Sequence, residues 1–182
     1  MLSVVIPLGG ERSSQEVENE VKRALAGIVG EVIFAESWQE GIKIARGEFI
    51  SFISPDGIPG PGFYGPLLHV FTSQPSFRKL ALVAPFSGNG APASREPYPV
   101  RVAPLGGAVI RKSALEGFGR ELTGNLSVDS YNLSVDFWNR GLRCYVHPGA
   151  CLEGFNPASL TNKDDLIEAD PKVLLLWKRE MI

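Results

Sequence analysis

The sequence contains few of the side chains from which metal centres and disulfide frameworks are built. Its 182 residues include two cysteines, Cys144 and Cys151, and two histidines, His69 and His147. A closed zinc site needs four ligands at short, regular spacings, which these residues do not provide. One disulfide between the two cysteines is conceivable, but we expect two reduced, partly buried thiols.

Clusters of basic residues and long apolar runs are also absent. Lys and Arg number 18 against 20 Asp and Glu, a net charge of −2, and no basic block occurs. Nucleic acid is therefore not an expected partner, because phosphate binding needs clustered cations. No apolar run approaches the ~20 residues of a membrane span, and residues 1–7 lack the basic start of a signal peptide. These absences predict a cytoplasmic protein with no transmembrane segment.

The remaining composition is that of a folded domain. Hydrophobic residues make up 44% of the chain and charged residues 21%, close to the average for soluble domains. A chain of this size buries roughly 70% of its surface on folding, enough for a core without disulfides or metals. We expect a single domain over residues 1–182.

The first third of the sequence alternates between strand and helix patterns. Residues 2–6 are apolar and rich in β-branched side chains, which is typical of a strand buried on both faces. Ser13, with Glu16 three residues later, predicts the start of a helix. A strand at 31–35, a short helix at 38–46 and a strand at 49–53 are expected to follow. This βαβαβ order predicts a parallel sheet with right-handed crossovers.

The rest of the sequence continues with shorter elements. Residues 88–99 are rich in Gly, Pro, Ala and Ser, which predicts a loop. An apolar stripe predicts a helix through Val128, Tyr131, Val135 and Trp138. The other expected elements are a helix to about residue 72, strands at 80–84, 106–111 and 143–146, a short helix at 112–118 and a last helix at 173–177.

Three stretches follow the strands of the βαβαβ unit at their carboxyl ends, where ligands bind in open parallel sheets. These stretches are residues 7–10, 36–37 and 54–57. Glu36 and Asp56 each place a carboxylate there, and carboxylates at one sheet edge suit a divalent cation that holds a diphosphate. The same two residues could instead cap the helices that follow them. The residues alone leave both interpretations open.

Four segments, in order, resemble motifs of family-2 glycosyltransferases, which have the GT-A fold. Residues 2–7 (LSVVIP) look like that family's first strand, and residues 45–56 (ARGEFISFISPD) are similar to its segment ending in D-x-D. Residues 106–115 (GGAVIRKSAL) resemble the acceptor-side strand and the helix start after it. Residues 132–143 resemble a later helix that ends in R-x-x-G-[YF]-[RK]. The resemblance extends from residue 2 to about residue 150.

This resemblance implies a three-layer α/β/α GT-A-like fold around a mostly parallel mixed sheet. It also implies transfer of a sugar from a nucleotide-diphospho-sugar donor to an unidentified acceptor. The implied nucleotide-binding residues are Pro7, Leu8, Gly9, Glu36 and Asp56. Asp56 would also hold Mg²⁺ or Mn²⁺, which acts as a Lewis acid on the diphosphate. Asp129 would be the general base for the acceptor hydroxyl.

The sequence departs from the family's motifs at carboxylate positions. Ser54 replaces the first Asp of D-x-D, and Ser130 stands where the base usually lies. Asp129 could also simply complement the dipole of its helix, and Arg111 is either a diphosphate ligand or an ordinary surface cation. The alternative to an enzyme is therefore a catalytically degenerate GT-A domain that acts as a binding module.

Two further expectations concern a related activity and the assembly state. A nucleotidyltransferase of similar fold ranks last, and rests only on residues 7–12, whose glycines and arginine could cradle a triphosphate. An exposed edge strand would let a second copy of the chain pair with the first as a homo-oligomer.

Overall fold

A computed structural model describes residues 1–8, 13–54, 57, 59–73, 79–86 and 95–151. Within these residues, helices flank a seven-stranded sheet. In chain order the elements are β1 (Leu2–Pro7), α1 (Ser14–Ala24), β2 (Gly30–Ala35), α2 (Trp38–Ile44), β3 (Phe49–Phe52), α3 (Tyr64–Ser73), β4 (Leu80–Phe86), β5 (Tyr98–Val100), β6 (Val109–Arg111), α4 (Lys112–Glu116), α5 (Leu126–Asn139) and β7 (Arg143–Cys151).

The sheet is mixed, with the strand order β2-β1-β3-β6-β4-β7-β5, and all its strands except β5 and β6 run in one direction. β1 pairs in parallel with β2 and β3, and β4 pairs in parallel with β7. β6 lies antiparallel between β3 and β4, and β5 pairs antiparallel with β7 at the edge of the sheet. The predicted mixed sheet is confirmed.

Two apolar cores cover the two faces of the sheet, and β1 contributes to both. Val4 packs with residues of α1 and α3, whereas Val5 packs with residues of α2, α4 and α5. Both side chains are fully buried, as expected for a strand whose alternate residues point to opposite faces. The result is the predicted three-layer α/β/α architecture.

The local signals at the start of the chain predict its first elements well. Ser13 precedes α1, and its Oγ accepts the N–H of Glu16 at 3.3 Å. The apolar residues Val17 and Val21, four positions apart, are buried against the sheet, so the helix follows its apolar face.

The structure differs from the sequence pattern at three strands. β7 extends to Cys151, beyond the end predicted at residue 146. β6 begins at Val109, later than predicted, because residues 105–108 form a turn in which Gly107 has φ 68°. β5 forms at 98–100, where composition predicts a loop. Pro99 is tolerated there because an edge strand needs no donor on its open side. The predicted helix at 173–177 and residues 88–94 of the predicted loop lie outside the described residues.

In the part of the chain that the structure describes, no helix is both long enough and apolar enough to cross a bilayer.

Candidate functional site

The carboxyl ends of β1, β2 and β3 meet at one edge of the sheet. The register pairs Pro7 with Ala35 across β1 and β2, and Val5 with Phe52 across β1 and β3. Leu8 follows β1 and donates its N–H to the carbonyl oxygen of Ala35 at 2.9 Å. This bond holds the chain beside the end of β2 and leaves the Leu8 side chain 54% exposed. An apolar contact surface therefore faces solvent at this edge.

Glu36 lies beside this surface, directly after β2. Its backbone N–H donates to Glu40 Oε2 at 2.9 Å, and Ser37 Oγ accepts the N–H of Glu40 at 3.2 Å. The cap of α2 is thus formed by Ser37 and Glu40. The Glu36 side chain is exposed, and among the described residues its carboxylate has no hydrogen-bond or ion-pair partner. It can accept hydrogen bonds from a ligand.

The remaining predicted contacts lie in the loops after β1 and β3. Gly9 and Asp56 fall outside the residues that the structure describes, so both assignments stay predictions. Among the described neighbours of Asp56, the N–H of Gly57 donates to the carbonyl oxygen of Ser54 at 3.0 Å. Ser54 itself is half-buried at the end of β3.

Within the described ranges, which leave out Asp56, no three His, Cys, Asp or Glu side chains lie close enough together to hold a metal ion. Glu36 and Ser54 bring a carboxylate and a hydroxyl to this edge. Both groups are hard oxygen donors, the type that Mg²⁺ and Mn²⁺ prefer when phosphate oxygens complete the coordination.

A glycine turn borders the end of β3 at the same edge. The N–H of Ala108 donates to the carbonyl oxygen of Leu105 at 3.1 Å, and the N–H of Gly107 donates to that of Phe52 at 2.8 Å. The φ of 68° at Gly107 favours glycine. Phe52 also stacks on Trp38 of α2, with ring centroids 4.9 Å apart. The turn, β3 and α2 therefore form one packed unit.

Asp129 lies in the first turn of α5 and points into the protein. Its side chain is 1% exposed. Oδ1 accepts the N–H and the hydroxyl of Thr123 at 2.9 and 3.0 Å, and Oδ2 accepts the N–H of Gly124 at 3.0 Å. Burial raises the pKa of Asp129, and these hydrogen bonds oppose that change. The carboxylate holds the segment before α5, and its role as a base stays a prediction.

Two buried serines of α5 also bind backbone. Ser130 Oγ accepts the N–H of Leu105 at 2.8 Å and donates to the carbonyl oxygen of Leu126 at 2.6 Å. Ser134 Oγ accepts the N–H of Ala103 at 3.1 Å. Sequence reasoning missed this pair. Two serines four residues apart in a predicted helix were the available signal, because this spacing places both on one helix face.

Arg111 lies at the amino ends of the parallel strands, opposite the carboxyl ends where Leu8 and Glu36 lie. Because β6 is antiparallel to β3, Arg111 pairs with Phe49 at the start of β3. Its guanidinium lies 2.9 Å from Glu48 Oε1 and over the rings of Phe49 and Phe71. These contacts indicate that Arg111 stabilises the fold through an ion pair and cation–π interactions.

Comparison with known proteins shows the fold. No protein-family profile and no curated protein sequence matches this chain. Solved structures of S. aureus TarS do match. A crystal structure of TarS superposes with a TM-score of 0.54 at 12% identity, covering 83% of this chain and 36% of TarS. A structure of TarS 1–349 in complex with UDP-GlcNAc gives 0.55 at 13% identity, covering 87% of this chain and 60% of that one.

A third structure, of TarS 1–349 alone, gives a TM-score of 0.52 at 12% identity and covers 93% of this chain and 66% of that one. The chain thus spans less than two thirds of each of these TarS structures. Together with the mixed sheet and its flanking helices, the superpositions confirm the GT-A-like fold.

Proposed function

We propose that this chain is a glycosyltransferase, similar to family 2, that moves a sugar from a nucleotide-diphospho-sugar to an unidentified acceptor. The observation that carries the proposal is the edge where the exposed Leu8 and the Glu36 carboxylate lie at the ends of adjacent strands. The fold supports it, because the structurally similar TarS has been crystallised with UDP-GlcNAc.

The donor's nucleoside would occupy the ends of β1 and β2. Pro7, Leu8 and Gly9 would contact the base, with Leu8 supplying apolar surface. The carboxylate of Glu36 would accept hydrogen bonds from the ribose hydroxyls, a pairing that favours a sugar over a molecule without adjacent hydroxyls. UDP-GlcNAc is the first donor to test.

The diphosphate would lie at the end of β3. Asp56 would hold Mg²⁺ or Mn²⁺ there, and such a cation stabilises the charge on the leaving nucleoside diphosphate. Ser54 supplies a hydroxyl where a second carboxylate would stand, so the donor's own phosphates would provide more of the ligands. We therefore expect this chain to bind the metal much more tightly with nucleotide than without it.

Asp129 is the proposed proton acceptor for the acceptor hydroxyl. Its raised pKa favours proton uptake. Because its oxygens bind Thr123 and Gly124, the acceptor hydroxyl would have to replace at least one of these contacts. If no contact is released, the chain binds the donor without turnover, which is the behaviour of a binding module.

A thermal-shift titration with UDP and UDP-GlcNAc, with and without Mn²⁺, tests the donor site. A ligand at 100 times its Kd should stabilise the wild type by roughly 2.7 kcal/mol. Glu36→Gln should weaken binding about 10-fold or more, because it removes a charged hydrogen-bond acceptor. Asp56→Ala should remove the effect of Mn²⁺.

The matched control is Glu16→Gln, because Glu16 is an exposed glutamate in the first turn of α1 on a different element. It should bind nucleotide as the wild type does. The absence of a shift with every nucleotide, or equal weakening by Glu36→Gln and Glu16→Gln, would overturn the donor site. Release of UDP from UDP-GlcNAc then separates a transferase from a module that only binds.

A further inference from the structure

One face of α5 is occupied by side chains that bind backbone N–H groups of the segment before β6. Ser130 Oγ lies 2.8 Å from the amide nitrogen of Leu105, and Ser134 Oγ lies 3.1 Å from that of Ala103. Both serines are at most 1% exposed. A buried N–H without an acceptor is destabilising, so these hydroxyls determine where residues 103–105 can lie.

The held segment leads directly to the candidate site. Leu105 opens the glycine turn, which is closed by the N–H of Ala108 and attached to β3 by the bond from Gly107 to Phe52. Gly106 forms an isolated parallel bridge with the same Phe52. Phe52 stacks on Trp38, which lies two residues after Glu36 at the start of α2. The position of the turn is therefore coupled to the end of β3 and to the start of α2, where Glu36 lies.

We propose that Ser130 and Ser134 are positioning residues of the nucleotide-sugar site, which hold the 105–108 turn against the end of β3. The identity of the ligand in this statement rests on the proposed function. Neither serine touches the reacting atoms. Ser130 acts through Leu105 and Gly107, and its own proton is already donated to the carbonyl oxygen of Leu126. When these hydrogen bonds are lost, residues 105–108 can move away from the end of β3, and the geometry of the proposed site changes.

A second buried serine provides a matched control at the other end of the sheet. Ser3 is fully buried, accepts the N–H of Gly47 at 2.8 Å and donates to Glu31 Oε1 at 2.6 Å. Ser130 makes bonds of the same two lengths to Leu105 and Leu126. Ser3 donates to a carboxylate and Ser130 to a backbone carbonyl, but each accepts one backbone N–H, and Ser3 holds a loop at the amino ends of the strands.

The experiment compares Ser130→Ala with Ser3→Ala in the full chain, by amide hydrogen exchange and by UDP-GlcNAc affinity with Mn²⁺. Both variants should unfold at lower denaturant concentration than the wild type. Ser130→Ala should speed exchange at Leu105 about tenfold and weaken UDP-GlcNAc binding about tenfold, whereas Ser3→Ala should speed exchange at Gly47 and leave the affinity unchanged.

Two further variants keep the proposal testable if Ser130→Ala fails to fold. Ser130→Thr keeps the hydroxyl and should restore both exchange protection and affinity. Ser134→Ala removes the longer bond and should weaken UDP-GlcNAc binding less than Ser130→Ala does, while still speeding exchange at Ala103. A merely structural serine would not produce this order of affinities.

Each outcome decides a separate point. Unchanged exchange at Leu105 in Ser130→Ala would overturn the holding role itself. Faster exchange with unchanged UDP-GlcNAc affinity would overturn its connection to the site. A wild-type chain that binds no nucleotide would overturn the proposed function and the site role together, and the exchange data would still decide whether the serines hold the turn.

Discussion

Most buried polar side chains in the described part of the chain are serines. The buried polar residues are Ser3, Ser51, Ser127, Asp129, Ser130 and Ser134. A serine hydroxyl can accept a backbone N–H while it adds little volume, so it satisfies buried backbone without disturbing the packing. Asp129 differs from these serines because its side chain can carry a charge. Three hydrogen-bond donors offset the cost of removing its carboxylate from water. Ser3, Ser130 and Ser134 connect segments that lie 25 to 44 positions apart in the sequence.

Asp129→Asn should lower the free energy of unfolding by about 1–3 kcal/mol at neutral pH. An asparagine keeps one acceptor oxygen and turns an amide N–H₂ toward a donor of Thr123 or Gly124, so at least one buried donor loses its partner. Urea unfolding measures the change. Asp136→Asn is the control on the same helix, because Asp136 pairs with Arg140 near the surface, where such pairs contribute about 0–1 kcal/mol.

The pH dependence of the same variant has a defined sign. Burial raises the pKa of Asp129 in the folded protein above its ordinary value of 3.8. Between the unfolded and the folded pKa the folded state holds more protons, so this group's contribution to stability falls as pH rises and is constant above that window. The advantage of wild type over Asp129→Asn should therefore be larger in acid than at pH 7. An advantage that grows with pH would contradict the assignment.

Helix α2 packs closely on β1 through a glycine. A Cβ at Gly41 would overlap the side chain of Val5, and Gly41 is buried in the middle of the helix. The absent side chain lets α2 lie close to the sheet, with Trp38 stacked on Phe52. This close contact places the start of α2, and with it Glu36, beside the end of β1.

Gly41→Ala should destabilise the protein by about 1–3 kcal/mol, because the overlap with Val5 forces α2 away from β1. The better helix propensity of alanine, worth up to about 1 kcal/mol, would not compensate. Denaturant unfolding provides the measurement. Gly65→Ala is the matched control in α3, where an added Cβ meets nothing within 4 Å. We expect that change to be neutral or stabilising, and equal losses for the two variants would refute the packing argument.

At the scale of the whole molecule, the sheet separates two apolar cores. Cys144 lies in the core on the side of α2, α4 and α5, fully buried within β7. Burial raises the pKa of its thiol to about 12, so little thiolate exists at neutral pH and the sulfur is shielded from reagents. Its reactivity therefore reports the opening of the core.

In a Cys151→Ser variant, iodoacetamide at pH 8 should leave Cys144 unmodified in the native protein and modify it completely in denaturing urea. Mass spectrometry measures the alkylated fraction over time. The rate should follow the unfolded population as urea increases, because only opened molecules expose a reactive thiolate. Modification of the native protein at the rate of a free thiol would show that β7 is not held in the core as described.

The sequence alone determined the βαβαβ half of the fold. Buried β-branched residues at 2–6, the cap at Ser13 and the spacing of Val17 and Val21 are local signals, and the interactions they predict join residues close together in the chain. The same signals placed Leu8 and Glu36 at one edge, because parallel strands end together. Family motifs added the GT-A-like architecture, which the TarS superpositions confirm.

Only the tertiary structure decided the contacts of Ser130 and Arg111. Ser130 bonds to a residue 25 positions away and Arg111 to one 63 positions away, and no local pattern encodes such partners. The antiparallel insertion of β6 brings residues 105–108 to the end of β3 where the candidate site lies, and places Arg111 beside the start of β3. Strand direction is set by which pairing buries the most surface across the whole sheet, and that is a property of the folded chain.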